Sequence, residues 1–201
     1  MNRIAPSSYS NTNSSGVAHF VESTTAVRKP SGRYLPGSIF ILDDLAKQVY
    51  ETAEYSIFEI ANWFLSKESM THKKVQKLCY YAQAWCYALK GYRLSDTVFE
   101  AWVHGPVSPA LYDKFKVFGF SAIRIADGYS PSIEPEDVEL LESIWKTYGD
   151  MDGIALEVLS HSEPPWIEAR IGYSPEERCE VAISSGAMKS YYRSIHTGSY
   201  L

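Results

Sequence analysis

The chain contains few cysteines, and their spacing is typical of neither a disulfide framework nor a metal site. There are three, Cys79, Cys86 and Cys179, and no C-x-x-C pair occurs. Cys79 and Cys86 are seven residues apart on one predicted helix, and the roughly 10 Å between them is too long for a disulfide bond. We interpret the cysteines as reduced core thiols of a cytoplasmic protein. Because His104 and His161 are also isolated in the sequence, we predict no metal site and no cofactor.

Long apolar runs are absent, and so is an excess of positive charge. No run approaches the roughly 20 residues that span a bilayer, and the first residues lack the apolar core of a signal peptide. We therefore predict neither a membrane segment nor export. The formal net charge of −5 argues against a general nucleic-acid-binding protein, since phosphate neutralisation needs a concentrated lysine and arginine surface.

The familiar signatures of catalysis are also absent. The sequence has no G-x-S-x-G elbow, no P-loop and no G-x-G-x-x-G fingerprint. Cys79 and Cys86 fall within an apolar stripe, which leaves Cys179 as a candidate thiol nucleophile without a flanking signature. The sequence thus predicts a protein that is not an enzyme.

The apolar content of 45% over 201 residues is ample for one sizeable domain with a tail. Residues 1–37 are rich in Ser, Asn, Gly and Pro and show no apolar periodicity, so we predict a disordered tail there. Four basic residues against one acidic residue make this tail cationic. Contact with an acidic partner or nucleic acid and a merely solvated leader are both compatible with that charge. We predict the folded domain at 38–201.

The segment 71–91, THKKVQKLCYYAQAWCYALKG, has the pattern of a central helix. Its apolar residues recur at spacings of three and four over about five turns. Thr71 is a suitable N-cap, and Gly91 suits the left-handed residue that ends a helix. The apolar stripe is unusually broad, so we predict that the helix 71–90 is covered on several sides.

Lysines in the first turn of this helix oppose its macrodipole at a cost of a few tenths of a kcal/mol each where they are exposed. One interpretation is that Lys73, Lys74 and Lys77 are simply solvated. The other is that they form a basic and aromatic patch with Tyr80 and Tyr81 that binds an acidic partner.

The other segments predict more helices and little β structure. We expect helices from Asp43 to Glu54, from Ile57 to Glu68 after a Ser56 and Glu59 capping box, from Pro109 to Val117 after Ser108, from Pro135 to Tyr148, from an Asp150 cap to His161, and after Ser184, with a single turn from Trp166 to Arg170 beyond the Pro164–Pro165 break. Residues 97–103 and 121–127 are expected to pair as two short strands. These elements predict a mainly α fold, a compact bundle of about six to seven helices around the central helix 71–90 with a minor two-stranded β element.

A cluster of chemically versatile residues lies near the double proline. In one interpretation, His161 is an acid or base and Arg170 holds an anion in a polar pocket. In the other, His161 and Arg170 satisfy backbone carbonyls or Glu163, and Trp166 fills the core.

The order of four motifs resembles one known family. The motifs are THKKVQKLCYYAQAWCYALKG, EAWVHGPVSPALYDKFK, LSHSEPPWIEAR and AISSGAMKSYY, and together they resemble the Panacea domain of the SocA-like antitoxin family, which includes many phage-associated proteins. The resemblance covers about 55–192. The residues at which it places structural motif positions are Trp102, His104, Gly105, Pro106, Tyr112, His161, Trp166 and Arg170.

The resemblance implies a compact, mainly helical domain that neutralises a toxin encoded beside it, mostly by direct binding. We therefore expect a cytoplasmic antitoxin of a type II toxin–antitoxin system, with its cognate toxin as partner and without membrane or nucleic-acid binding. Its expected partner-binding residues are Lys73, Lys74, Lys77, Tyr80 and Tyr81. The alternatives are a proteolytic adaptor that delivers a toxin to a protease, a small phage-associated regulatory protein, an enzyme that uses His161, and a DNA-binding autorepressor.

Overall fold

Seven α-helices, one short 3-10 helix (Lys116–Phe118) and two pairs of short strands make up the regular structure of residues 53–124 and 132–196, the part of the chain that the computed structural model describes. The helices are α1 (Ile57–Lys67), α2 (His72–Leu89), α3 (Pro109–Phe115), α4 (Pro135–Tyr148), α5 (Gly153–His161), α6 (Pro164–Ala169) and α7 (Ser185–His196). The strands are β1 (Met70–Thr71), β2 (Glu100–Trp102), β3 (Gly105–Val107) and β4 (Ala122–Ile123). The fold is mainly α, as predicted.

The predicted tail at 1–37 lies outside the described residues. So does most of the helix predicted from Asp43 to Glu54, whose last two residues are not helical.

Helix α2 is the centre of the fold, which confirms the interpretation of its broad apolar stripe. It packs against α1, α4, α5 and α7, and Val75, Leu78 and Ala82 are completely buried. The Thr71 side chain accepts the Lys74 amide hydrogen at the N-terminus. At the other end Gly91 has a φ of +83°, and its N–H donates to the Cys86 carbonyl at 3.0 Å. Both predicted helix ends are confirmed.

The predicted capping box of α1 is present, with Ser56 and Glu59 each bonded to the other's backbone N–H. The predicted cap of α5 is wrong by two residues. Asp152, not Asp150, accepts the amide hydrogens of Ile154 and Ala155, at 2.9 and 2.8 Å. Asp150 cannot take that place because it still lies in the turn that ends α4, where the next amide, of Met151, donates to the Tyr148 carbonyl.

The double proline begins a helix instead of interrupting one. Pro164 and Pro165 occupy the first positions of α6, where the missing N–H would have no intrahelical partner and the fixed φ suits the helix. The predicted turn at 166–170 therefore starts two residues earlier than expected and ends at Ala169.

The predicted pairing of 97–103 with 121–127 is wrong. The chain reverses at once after β2, so Glu100 faces Val107 and Trp102 faces Gly105, while β4 pairs with β1. Pro106 has no N–H to give to the pair. Ala101, which faces Pro106, donates its N–H away from β3, to the Val181 carbonyl at 2.9 Å. The missing N–H of the proline therefore costs the strand pair no hydrogen bond.

Several large apolar side chains lie at the surface. Phe118, which follows α3, is exposed, and so are Ile154 and Val158 on α5. None of the helices within 53–124 and 132–196 combines the length and the apolar character required to cross a bilayer.

Candidate functional site

Lys77 holds the turn between β2 and β3 from inside the protein. Its side chain is only 1% exposed, and its Nζ donates to the carbonyls of His104 at 2.5 Å and Pro106 at 3.0 Å. Gly105, between them, has a φ of +90°. A Cβ there would lie 2.8 Å from Lys77 Nζ, so this close approach requires glycine. We call these four residues the Lys77 clasp.

Burial and neighbouring charges set the protonation of this region. Burial lowers the pKa of Lys77 to about 7, against the raising effect of Glu157. Burial raises the pKa of Glu157, but hydrogen bonds from Lys73 and His104 bring it below its ordinary value. Glu157 pairs with Lys73 and lies 2.9 Å from His104 Nδ1. Lys73, Lys77 and His104 therefore all have polar partners within the protein.

The expected partner-binding residues do not form a solvent-facing patch. Lys77, Tyr80 and Tyr81 are buried, and Lys74 pairs with Glu68 and donates to the Gly149 carbonyl. Lys73 is half-buried and pairs with Glu157. Periodicity placed these lysines on the polar side of α2, but other elements cover that side as well.

The tyrosines surround the carboxyl group of Glu163, whose burial the sequence analysis did not predict. Glu163 accepts hydrogen bonds from Tyr192 at 2.6 Å and from Tyr81 at 3.4 Å. The Tyr81 ring stacks on Tyr148 at 4.2 Å. Burial raises the pKa of Glu163 to about 7, although both hydrogen bonds oppose the shift. No local motif could have revealed this, because α7 supplies Tyr192 from far along the chain.

Arg170 and Trp166 serve the backbone. The Arg170 guanidinium donates to four carbonyls, and these belong to Ala101, Ser174, Pro175 and Glu177. Trp166 Nε1 donates to the Trp102 carbonyl at 3.0 Å. The Arg170 contacts are of the kind that the structural interpretation of this cluster predicts, whereas Trp166, which was expected to fill the core, is half-buried. With four carbonyls on its terminal nitrogens, Arg170 has little capacity left to hold an anion.

His161, the last residue of α5, is half-buried against Trp166. Its ring stacks on Trp166 at 4.1 Å, and its Nε2 is buried without a hydrogen-bond partner in the described residues. Burial lowers its pKa. It therefore bonds neither to Glu163 nor to a carbonyl through Nε2. Within 53–124 and 132–196, no three His, Cys, Asp or Glu side chains come together in a way that could hold a metal ion.

The remaining motif residues, Trp102 and Tyr112, contact each other edge to face at 4.9 Å between ring centres. With His104 and Arg178 they line a shallow cleft of about 340 Å³. His104 belongs both to this cleft and to the Lys77 clasp.

A larger groove of about 420 Å³ lies where the start of α2 meets the start of α5. Phe120 and Ile154 line it and are 99% and 67% exposed. The lining residues with charged side chains are Glu68, Lys73, Lys74, Asp150 and Asp152. We call this feature the α2–α5 groove. The sequence analysis missed it, because Phe120 follows the helix-ending Gly119 in no periodic pattern.

Comparison with known proteins supports the resemblance seen in the motifs. No curated protein and no solved structure shows significant similarity to the chain. The family described as "Antitoxin SocA-like, Panacea domain" matches residues 75–167. This segment contains most of α2, the Lys77 clasp, α3, α4, α5 and the start of α6. Residues 75–167 are therefore similar to the Panacea domain of SocA-like antitoxins.

Proposed function

We propose that the protein is an antitoxin that neutralises a cognate toxin by direct binding, as in a type II toxin–antitoxin system, and catalyses no reaction. The family match supports the antitoxin role. One observation carries the binding mechanism. The charged side chains of Lys77 and Arg170, both in the family-like motifs, donate their hydrogen bonds to backbone carbonyls of the protein itself. These residues build a scaffold, so the partner is recognised elsewhere on the surface.

Binding as the mechanism also agrees with the state of the buried acids and thiols. Glu163 is closed in by Tyr81 and Tyr192. Burial strongly raises the pKa of the Cys79 thiol, which keeps it protonated and a poor nucleophile. A stable protein complex, by contrast, needs only a surface of roughly 1,600 Å² in total with a few apolar or arginine anchors.

The test uses the protein encoded by the reading frame adjacent to the gene for this chain. We expect co-expression of the two proteins to restore growth that the adjacent product alone arrests. The purified proteins should form one complex on size-exclusion chromatography. If no growth arrest is relieved and no complex forms, the proposal is wrong.

The stoichiometry of protection separates binding from catalysis. A binding antitoxin suppresses toxin activity in proportion to its amount and completes the inhibition at a fixed molar ratio. Complete inhibition by a small fraction of that amount would indicate an enzyme and contradict the proposal. Loss of protection in cells lacking one protease would indicate an adaptor instead.

A further inference from the structure

We propose that the α2–α5 groove is the docking site for the toxin, and that the toxin segment filling it presents an aliphatic or aromatic side chain beside a lysine or arginine. This inference rests on the proposed function. It places the contact on a surface to which Lys73 and Lys74 contribute, whereas Lys77, Tyr80 and Tyr81 do not line it.

The apolar part of the argument is the placement of Phe120 and Ile154. Both side chains are largely exposed at the edge of a concave surface. Val158, one turn further along α5, is 66% exposed and extends the apolar strip. Large apolar groups that remain exposed beside a cavity are typical of the anchors of protein–protein interfaces.

The groove is also rigid. Gly153 packs so closely on the start of α2 that an added Cβ would lie 3.1 Å from the Lys74 backbone nitrogen. The ion pair between Lys73 and Glu157 joins the same two helices. The pairing of β1 with β4 fixes the chain close to Phe120. A preformed site loses little conformational entropy on binding, which favours tight association.

The charge of the groove indicates the chemistry of its occupant. Lys73 and Lys74 are already paired with Glu157 and Glu68. Asp150 and Asp152 line the groove, and no cation among the described residues forms an ion pair with either. The unpaired charge is thus negative and complements a cationic segment. A second copy of this chain, with its net charge of −5, would bring like charge and is disfavoured.

The apolar contact is tested with the variants Phe120→Asp and Ile154→Asp. The matched control is Ile171→Asp, which changes a side chain that is 77% exposed and does not line the groove. The probe is the adjacent-frame protein, with Kd measured by isothermal titration calorimetry. We expect each groove variant to weaken binding at least about tenfold and the control to change Kd less than about twofold. All three should melt at the wild-type temperature, because the replaced side chains are exposed.

The charge contact is tested with Asp150→Lys and the exposed control Glu176→Lys. We expect Asp150→Lys to weaken binding by about threefold or more and to reduce the dependence of Kd on salt, whereas Glu176→Lys should change neither. Equal affinity and equal salt dependence for both variants would overturn the assignment of a cationic segment.

The outcomes separate the site from the function. If the wild type binds and protects while the Phe120 and Ile154 variants do so equally well, the groove is not the docking site and the proposed function stands. If the wild type neither binds nor protects, both proposals fail. If Phe120→Asp converts a dimer into a monomer in sedimentation and leaves toxin binding unchanged, the groove joins two copies of this chain, and the docking proposal is wrong.

Discussion

Gly105 lies between the two residues whose carbonyls accept hydrogen bonds from the buried amine of Lys77. Its φ of +90° belongs to the region that favours glycine. A Cβ at this position would also lie 2.9 Å from the Ser160 hydroxyl oxygen. Backbone strain and steric overlap therefore coincide at one residue, and a suitable control can separate them.

That control is Gly172, which has a φ of +92° with nothing within 4 Å of the position that a Cβ would occupy. We expect Gly172→Ala to lower the free energy of unfolding by about 1 kcal/mol through backbone strain alone. Gly105→Ala should lower it by about 3 kcal/mol, because the Lys77 clasp must also open. Urea unfolding measures both values. Equal losses in the two variants would show that opening the Lys77 clasp costs no free energy.

Lys77 also shows what could not be predicted from the sequence of its own helix. The helical spacing correctly assigned Val75, Leu78 and Ala82 to the core, because burial of one face follows from local periodicity. It could not show that the carbonyls of His104 and Pro106, nearly 30 residues later, would surround the amine. A lysine is normally exposed, and only a tertiary contact of this kind reverses that preference.

Among the elements, the end of α6 is held by one side chain. Arg170 bonds to Ala101 of β2 and to three carbonyls of the turn at 174–177. The planar guanidinium can reach several carbonyls at once, whereas lysine offers three donors on one rotating nitrogen. This contact therefore joins a helix, a strand and a turn.

We expect Arg170→Lys to lower the free energy of unfolding by about 2 kcal/mol, because at least one buried carbonyl loses its donor. Amide hydrogens near 174–177 should exchange faster in the variant. The control is Arg178→Lys, since that side chain is 84% exposed and pairs with Glu180 at the surface. The control should cost less than about 0.5 kcal/mol. Similar losses in the two variants would contradict the role given to Arg170.

Element boundaries were predictable where a local group sets them. The Ser56 and Glu59 capping box, the Ser108 and Ser184 caps and the helix start at Pro135 are local features and are present as predicted. Strand pairing was not predictable, because β1 and β4 are joined from segments about 50 residues apart. The groove residues Phe120 and Ile154 were missed for the same reason, since exposure depends on which elements fail to cover a side chain.

For the whole molecule, the buried Glu163 makes stability depend on pH. Its pKa is about 7 in the folded protein and 4.5 when unperturbed. The folded state thus holds the proton more tightly, so this contribution to stability is complete below pH 4.5 and is lost as the pH rises towards 7. Lys77 makes stability depend on pH in the next higher range, above pH 7. Its folded pKa of about 7 lies below the ordinary 10.5, so its cost is greatest below pH 7 and is relieved at higher pH.

We expect Glu163→Gln to remove the loss between pH 5 and 7, because glutamine does not ionise and still accepts from Tyr192. From pH 5 to pH 7, the free energy of unfolding of the variant should rise relative to that of the wild type by about 2 kcal/mol. Denaturant unfolding at pH 5, 6 and 7 measures the difference. His72 and His161, whose pKa values burial lowers, have the opposite pH dependence in both proteins and cancel in the comparison.

The control is Glu168, an exposed residue of α6, the helix that begins directly after Glu163. Glu168→Gln should reproduce the wild-type pH profile. If the Glu163→Gln and wild-type profiles run parallel from pH 5 to 7, the carboxyl group of Glu163 does not hold its proton in the folded protein.

The position of α7 has a consequence for dissecting this protein. The segment that matches the family ends at residue 167, yet Tyr192 of α7 contacts Tyr80, Tyr81 and Trp85 inside it. A fragment cut at that boundary would leave the aromatic interior open to water along the whole length of the missing helix. The smallest unit able to fold is thus longer than the smallest unit that can be recognised, and reporter fusions or truncations should keep the chain through residue 196.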